Sequence, residues 1–336
     1  MKKKKILVTG GAGYIGSHAV KVLLDQGYEV VVFDNLFCGF RGVVDVLRKE
    51  FSCLKFYQGD LRNYTDIAQV FKKEPIEGVM HFAALCLVSE SMERPEEYFE
   101  NNVLGTLNLL KAMAQFNVDK LIFSSTCAVY GESQYLPVDE KHPTNPTSPY
   151  GESKLMAERE IYWFGKLKNL KYAILRYFNV TGASSDGLIG DSKKPSQLLV
   201  QNAVRGALNI EPFQLTCPKV DTADGTPIRD YLNVEDLAVA HLKALDYLIQ
   251  GGKSDIFNLG TGRGNSVLEI VNSVQKITKV KIPASKGETR RGEYAQIYAD
   301  ISKAKKALKW KPKKTMTDSI LSLVKWYKNK PDGWSY

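Results

Sequence analysis

A tyrosine and a lysine four residues apart predict a proton-transfer site. Tyr150 and Lys154 stand in the segment YGESK, and on a helix this spacing puts both side chains on one face. Pro149, just before them, is typical of a helix start. A phenol with a pKa near 10 needs a shift of roughly three units, about 4 kcal/mol, to act as a base near pH 7. One positive charge at about 4 Å, at an effective dielectric of about 20, supplies roughly that much, so Lys154 can activate Tyr150.

A hydroxyl is expected beside this pair. The run SSTCAVYG (124–131) begins as an apolar strand pattern and carries Thr126 to the carboxyl end of that strand. Ligands of open parallel sheets bind at this edge. Thr126 can bridge a substrate hydroxyl and the phenol, or it can bond its own backbone instead. The candidate catalytic residues are therefore Tyr150, Lys154 and Thr126, and we expect Thr126 and Tyr150 to contact the substrate.

A glycine-rich turn predicts a dinucleotide site. The segment GGAGYIG (10–16) contains both GxGxxG and GxxGxxG, whose shared last two glycines are Gly13 and Gly16. Glycine permits the tight turn, the approach of the backbone to a diphosphate and the close packing of a helix whose N-terminus faces the phosphates. Asp34 follows Gly16 by 34 − 16 = 18 residues, at the end of the second strand pattern. A carboxylate there binds the ribose hydroxyls and repels a 2′-phosphate, which predicts NAD rather than NADP.

Two further segments fit this site. Asp60, after the third strand pattern, can accept from an adenine amino group or simply cap the next helix. Phe82-Ala83-Ala84 ends the fourth strand pattern with small residues that a cofactor could approach. With NAD bound, the oxidised nicotinamide adds a second positive charge beside Tyr150. Because that charge disappears on reduction, the tyrosine becomes more basic in a cycle that first takes and then returns a proton.

The elements that must position these residues follow a regular rhythm. Seven apolar runs without polar alternation alternate with helical patterns, at 6–9, 29–33, 54–57, 78–83, 120–125, 172–177 and 255–259. Such runs are typical of strands buried on both faces, so the predicted fold is α/β, a doubly wound parallel sheet of the Rossmann type. We divide the chain into a dinucleotide-binding domain (1–180) and a smaller, interleaved C-terminal substrate lobe (181–336), from which about 234–262 returns to the sheet.

The composition argues against a membrane protein, a metal-binding protein and a nucleic-acid-binding protein. Of the 336 residues 44% are hydrophobic and 25% charged, and no apolar run approaches the ~20 residues that span a bilayer, so we expect a cytoplasmic protein without a membrane segment. The five cysteines form no CxxC pair, which predicts reduced thiols and no metal site. The net charge of +9 is spread out, and we expect its densest run, KAKKALKWKPKK from Lys303, on the solvated face of a terminal helix rather than on nucleic acid.

The motifs together resemble one family. GGAGYIGSH, DNL, the strand-end hydroxyl before VYG, YGxSK, RYFN (176–179), DGTxxRDY (224–231), NLGTG (258–262) and RRGE (290–293) follow in an order that resembles the extended short-chain dehydrogenase/reductases, the NAD-dependent epimerase/dehydratase family. Within it, the chain resembles the UDP-sugar 4-epimerases over nearly its whole length. The resemblance implies a homodimer that interconverts UDP-glucose and UDP-galactose through a 4-keto intermediate, redox-neutral with bound NAD.

The motifs and the resemblance also imply contacts. For NAD they give Gly10, Gly13, Tyr14, Ile15, Gly16, Asp34, Asn35, Asp60, Leu61, Phe82, Ala83, Ala84, Asn101, Thr126, Tyr150, Lys154 and Phe178. For the UDP-sugar, besides Thr126 and Tyr150, they give Asn179, Gln197, Leu198, Arg229, Arg291 and, on the ribose, Glu293. An arginine pair also suits a diphosphate through charge-assisted bidentate bonds.

Some positions depart from the family pattern. A lysine that is common two residues after the Phe-Ala-x triplet is Cys86, an asparagine of the substrate loop is Gln197, and the histidine of RDYxH is Asn233. The RR segment is one residue short, and Thr126 is a serine in many relatives. Ile297 aligns with a pocket position beside carbon 2 of the sugar. It is smaller than a tyrosine there, so we expect room for an N-acetyl group unless the neighbouring Tyr298 fills it.

Other activities of the same superfamily fit less well. A 4,6-dehydratase needs an acid and a base beside the strand-end threonine, and a decarboxylase needs a glutamate there, but this chain has Cys127-Ala128. Two alternatives stay open, a pentose 4-epimerase and a non-catalytic NAD-binding protein. Such non-catalytic proteins typically lose the tyrosine or the lysine, whereas this chain keeps both.

Overall fold

The computed structural model describes residues 4–194, 196–286 and 294–334. In chain order the strands are β1 (Lys5–Thr9), β2 (Glu29–Asp34), β3 (Lys55–Gln58), β4 (Gly78–His81), β5 (Lys120–Thr126), β6 (Lys171–Tyr177), β7 (Asn179–Thr181), β8 (Phe213–Leu215), β9 (Ile228–Arg229), β10 (Tyr231–Asn233), β11 (Asp255–Leu259), β12 (Asn265–Ser266), β13 (Ala284–Lys286) and β14 (Gln296–Ile297).

Helices fill the connections between the strands. They are α1 (Tyr14–Asp25), α2 (Arg41–Glu50), α3 (Tyr64–Lys73), α4 (Val88–Ser91), α5 (Pro95–Tyr98), α6 (Gly105–Gln115), α7 (Pro149–Lys168), α8 (Leu199–Ala207), α9 (Val234–Ile249), α10 (Val267–Thr278), α11 (Ser302–Ala307) and α12 (Met316–Asn329). A π-helical stretch (Phe99–Leu104) leads into α6, and a 3₁₀ turn (Cys127–Val129) follows β5. Among the described residues, no helix is long and apolar enough to cross a membrane.

The seven predicted runs form one parallel sheet. Its strand order is β11-β6-β5-β4-β1-β2-β3, and every neighbouring pair is parallel. This order turns back between β1 and β4, where doubly wound sheets leave a crevice at the carboxyl ends of their strands. The predicted α/β fold is confirmed.

Two details of the strand predictions were wrong. The edge strand β3 is half exposed rather than buried, because nothing pairs with its outer side within the described sheet. The run at 78–83 is a strand only to His81, since Phe82 and Ala83 leave the sheet and line a cavity.

The core lies on both faces of the sheet because successive strand residues point to opposite sides. In β1, Ile6 and Val8 join the apolar layer that holds α1 and α9, whereas Leu7 joins the layer that holds α3, α6 and α7. The sheet is therefore held between two helical layers, and the loops at its carboxyl edge are left to form a site.

Short strands after β6 build a second region over the carboxyl edge of the sheet. β7 pairs with β10, β9 lies between β12 and β14, and β8 pairs with β13. The chain also returns to the main fold, since α9 packs on α1 and β11 extends the sheet beside β6. A boundary at residue 180 remains a prediction.

The lysine run from Lys303 does not lie on one terminal helix. It spans α11 and a non-helical stretch before α12. Helix α11 ends at Ala307, and the stretch after it is not helical, since Lys309 has φ = 51° and Pro312 lacks the amide that a helix needs. The buried Trp310 instead anchors this stretch, because its indole donates to the Asp236 carbonyl at 3.0 Å.

Candidate active site

A cavity of about 420 Å³ opens at the carboxyl edge of the sheet, beneath the short strands. Every predicted cofactor residue lines it, from Gly10 in the glycine turn to Phe178 after β6. The predicted substrate residues Asn179, Gln197, Leu198 and Arg229 line the same cavity. Arg291 and Glu293 lie outside the described residues. The fold thus brings the described candidates together, although their individual roles remain predictions.

The glycine turn forms a cradle that larger residues would fill. Gly10 has φ = 72°, and a Cβ on it would lie 2.5 Å from the Ala83 amide nitrogen. A Cβ on Gly16 would lie 2.1 Å from the Gly10 carbonyl oxygen. The turn can therefore press against the end of β4 and the start of α1 only with glycine at these positions. The open N-terminus of α1 faces the cavity, as a diphosphate site requires.

Two carboxylates, Asp34 and Asp60, line the cavity at the ends of β2 and β3. Asp34 is buried and accepts from the amides of Ala12 (3.0 Å) and Leu36 (2.8 Å), and burial raises its pKa against those bonds. Asp60 accepts from Arg62 and from Asn35 Nδ2 (3.1 Å), and the Arg62 guanidinium lowers its pKa to about 2. Asp60 is therefore ionised near neutral pH, in keeping with a role as a hydrogen-bond acceptor.

The predicted proton-transfer group sits at the start of α7. Pro149 is the first residue of that helix, as predicted, and Ser148 caps it by accepting from the Gly151 amide at 3.2 Å. Tyr150, in the first turn, is buried, with its phenol next to the Thr126 side chain. Thr126 also accepts from the Ala128 amide at 3.1 Å. The hydroxyl thus bonds its own backbone and also lies beside the phenol, while its contact with a substrate remains a prediction.

Burial works against charge at this pair. It raises the pKa of Tyr150 well above 10, with only the Thr126 bond opposing the shift. It also lowers the pKa of Lys154 to about 7, against the attraction of Glu158. The Lys154 ammonium lies 4.1 Å from the centroid of the Phe123 ring, which offers partial compensation. A phenolate here therefore needs further positive charge in the site, which is where an oxidised nicotinamide is expected.

Two buried contacts fix the position of α7. Glu158 forms an ion pair with Arg176 of β6 at 2.5 Å and accepts from Ser125 at 2.5 Å. Asn102, in the π-helical stretch, donates to Ser153 at 3.0 Å and bonds both the amide and the carbonyl of Leu85. The helix that carries Tyr150 is thus tied to the sheet on one side and to the loop after β4 on the other.

The short strands place the predicted substrate residues. Arg229 of β9 donates to the carbonyls of Ile228 (2.8 Å) and Tyr294 (2.9 Å), which orient its guanidinium at the cavity wall. Asp230, beside it, accepts from the amides of Thr261 and Gly262 and so holds the NLGTG loop. Ile297 of β14 is 1% exposed, pairs with Arg229 in the strand register and lines the cavity.

The departures from the family pattern differ in their consequences. Asn233 does not line the cavity. Instead it caps α9 by accepting from the Glu235 amide at 2.8 Å, and it donates to Ser319 at 2.9 Å. Cys86 does line the cavity, and Lys193 Nζ lies 3.4 Å from its sulfur. Burial raises the pKa of Cys127 to about 12, so this thiol stays protonated beside Thr126.

Sequence reasoning did not identify several residues of the site. Tyr177 lines the cavity, and its phenol accepts from Ser124 at 2.9 Å. It stands inside the quoted RYFN motif, which could have indicated it. Lys193 comes from the segment between β7 and α8, which carries no motif, and Asn102 acts through buried bonds that only the π-helical stretch creates.

Known proteins resemble the chain over its full length. Residues 6–260 match the family model described as "NAD dependent epimerase/dehydratase family". The chain is 45% identical to the UDP-glucose 4-epimerases of Lactobacillus helveticus, over 98% of this chain and 99% of that one, and of Lacticaseibacillus casei, over 98% of each. Among solved structures, the UDP-glucose 4-epimerase of Bifidobacterium longum in complex with NAD+ and UDP is 38% identical, with a TM-score of 0.93 over 98% of this chain and 100% of that one.

Proposed function

This chain belongs to the NAD dependent epimerase/dehydratase family, and from that premise we propose that it interconverts UDP-glucose and UDP-galactose by inverting the hydroxyl at carbon 4. One observation supports the proposal most strongly. Tyr150, Lys154 and Thr126 line the same cavity as the glycine turn. The relatives with this activity span the whole chain.

The described residues fit NAD. A Cβ would fill the cradle at Gly10 and Gly16, and Asp34 places a carboxylate where it would repel a 2′-phosphate. The glycine turn would hold the diphosphate, Asp34 and Asn35 the adenosine ribose, and Phe82, Ala83 and Phe178 the nicotinamide end. When bound, NAD supplies a hydride acceptor and donor that is restored in every cycle.

Tyr150 and the side chains around it transfer the proton of the carbon-4 hydroxyl. Its phenolate oxygen takes the proton of the carbon-4 hydroxyl while that carbon loses hydride, and it returns the proton when hydride comes back. Thr126 holds the sugar hydroxyl and the phenol together, and the Lys154 ammonium lowers the cost of the phenolate. The phenol is largely buried, which limits its contact with water.

Inversion requires the 4-keto sugar to turn over between the two steps. Arg229 and Asn179 would grip the UDP end through the diphosphate. The cavity near Tyr150 is lined by small or apolar side chains, among them Cys127, Ala128 and Ile297, which suits a sugar that must rotate. The same residues argue against dehydration, because a protonated Cys127 and Ala128 cannot transfer protons to a leaving hydroxyl.

A wider substrate range has one observation in its favour. Ile297 is the residue that lines the cavity, whereas the neighbouring Tyr298 is not among the lining residues and lies against Gly264. We therefore propose that N-acetyl sugars are also accepted.

We also propose a cytoplasmic homodimer. Met156, Trp163 and Leu167 project from one face of α7 and are 39%, 55% and 71% exposed, and Leu104 beside this helix is 42% exposed. A two-fold axis would let the same face of a second copy cover them. None of the five cysteines, all within the described residues, forms a disulfide bond, in keeping with a reducing compartment.

The test is turnover without added cofactor. Purified protein should convert UDP-galactose to UDP-glucose in buffer alone, and on denaturation it should release NAD(H) near one per chain and no NADP. Parallel incubations with UDP-N-acetylgalactosamine and UDP-arabinose define the range. Protein that converts only the pentose substrate, or that carries NADP, would refute the proposal.

A further inference from the structure

Lys193 brings a positive charge into the cavity from the side opposite the sheet. It belongs to the segment between β7 and α8, and its side chain lines the cavity. Its Nζ lies 3.4 Å from the sulfur of Cys86, which follows β4 in the opposite wall. This contact therefore joins the short-strand region to the sheet across the site.

The backbone around Lys193 is held by the C-terminal part of the chain. The Trp326 indole donates to the Asp191 carbonyl at 2.9 Å, and the Trp334 amide donates to Ser192 Oγ at 3.1 Å. A Cβ on Gly190 would lie 2.6 Å from the Trp326 ring, so the segment lies directly against α12. The backbone that carries Lys193 is therefore fixed by this packing.

The surroundings of the ammonium offer it weak partners. Lys193 is half buried, and within the described parts of the chain no carboxylate lies within 4.0 Å of its nitrogen. Asp191 attracts it from farther away, while the Asp191 carboxylate accepts from the Lys193 amide (3.4 Å) and from Ser196 Oγ (3.3 Å). A thiol is a poor acceptor for a partly desolvated cation, so an anionic ligand would complete the site.

The location of Lys193 indicates which anion. Lys193 also borders a small hollow lined by Gly13 and Tyr14, next to the N-terminus of α1. Lys193 and the N-terminus of α1 therefore border a shared space, and a lysine beside a helix N-terminus suits a diphosphate. Arg229, the candidate for the diphosphate of the UDP-sugar, lies on β9 instead.

We propose that Lys193 closes over the diphosphate of the dinucleotide from the short-strand side and thereby retains the cofactor. This inference rests on the proposed function and adds to it a residue that the motifs do not contain. The chemistry is that of a diphosphate, and the position beside Gly13, Tyr14 and Cys86 assigns it to the cofactor rather than to the UDP-sugar.

The experiment measures how fast labelled NAD leaves the purified holoenzyme during a chase with unlabelled NAD. Lys193→Ala should speed release roughly 10- to 100-fold, the scale of one lost charge-assisted bond, with the affinity for UDP within about threefold of wild type. Lys193→Arg should stay near wild type. The matched control is Lys194→Ala, since Lys194 is on the same segment but pairs with Asp332 at the surface (2.7 Å).

A charge swap separates electrostatics from packing. In the double variant Lys193→Ala with Cys86→Lys, the cation enters from the other side of the 3.4 Å contact, and NAD retention should recover to within a few fold. No recovery would show that only packing was lost and would overturn the inference, as would a Lys193→Ala variant that releases NAD at the wild-type rate. A loss of UDP affinity with NAD retention unchanged would assign the cation to the substrate and refute the cofactor assignment. Wild-type protein that neither holds NAD nor epimerises would instead remove the proposed function itself.

Discussion

Tyr150 is the residue on which the proposed chemistry depends most. Its phenol is buried beside Thr126, and the residue lines the cavity. Tyr150→Phe should abolish turnover and leave NAD binding nearly unchanged, because only the proton-transfer group is lost. Steady-state kinetics together with the NAD(H) content of the same sample test this. A phenylalanine variant near the wild-type rate would remove Tyr150 from the mechanism.

Loss of the Thr126 hydroxyl should slow turnover, but less than loss of the Tyr150 hydroxyl does. Thr126→Ala should slow turnover by roughly 100-fold, the usual scale for a positioned proton-transfer partner. Thr126→Ser keeps the oxygen and should remain active. Because Thr126 also accepts from the Ala128 amide, circular dichroism must show that both variants keep their fold. Equal activity of the alanine and serine variants would show that the hydroxyl has no catalytic part.

Ile297 sets the expected width of the sugar pocket. Its side chain is buried in the cavity wall, and as a β-branched residue it has little rotamer freedom. Ile297→Tyr should lower kcat/KM for UDP-N-acetylgalactosamine by roughly 100-fold and spare UDP-galactose. If wild type already discriminates against the N-acetyl sugar by more than ~1,000-fold, about 4 kcal/mol, the pocket is closed and the wider range is wrong.

At the scale of elements, α7 carries the candidate catalytic pair Tyr150 and Lys154 and also exposes an apolar face. Glu160 lies on this helix four residues after the exposed Met156, and its Oε2 is buried without a hydrogen-bond partner among the described residues. Burial raises the pKa of Glu160 to about 7. A carboxylate that is partly buried beside apolar side chains is costly when it ionises.

This carboxylate predicts a pH dependence of stability. Because its folded pKa is about 7 against 4.5 for the ordinary group, the folded state holds the proton more tightly, and stability falls as pH rises through that window. Glu160→Gln cannot ionise, so its unfolding temperature should exceed that of wild type increasingly from pH 5 to pH 8. Glu93→Gln, an exposed position, serves as control. A constant difference across this pH range would contradict the buried state of Glu160.

The sequence predicts helices and strands correctly where neighbouring residues determine them. Pro149 marked the start of α7, and the apolar runs marked all seven strands of the sheet. Predictions were wrong where a distant contact decides. In the lysine run the helix ends at Ala307, and Trp310 in the stretch that follows bonds the distant Asp236. The exposure of β3 follows from its place at the edge of the sheet.

At the scale of the molecule, the residues of the site also divide into those placed by local sequence signals and those placed by distant contacts. The glycine turn, Asp34 and Tyr150 stand in motifs whose geometry is set by their own strand and helix, so the sequence predicts them. Lys193 reaches the cavity only because α12 and the C-terminal tail hold its segment, and no spacing in the sequence expresses that packing. A residue that is placed by such distant packing therefore cannot be predicted from the spacing of the sequence.

The most direct test of the proposed reaction traces the hydrogen on carbon 4 of the substrate into the product. UDP-galactose that carries deuterium at carbon 4 is incubated with the purified protein in ordinary water, without added NAD, and the UDP-glucose formed is analysed by mass spectrometry and NMR. Because the hydrogen leaves carbon 4 as a hydride and returns to the same carbon on its other face, the product should keep the deuterium at carbon 4. Replacement of the deuterium by solvent hydrogen would mean that the carbon loses a proton instead, and it would contradict the account.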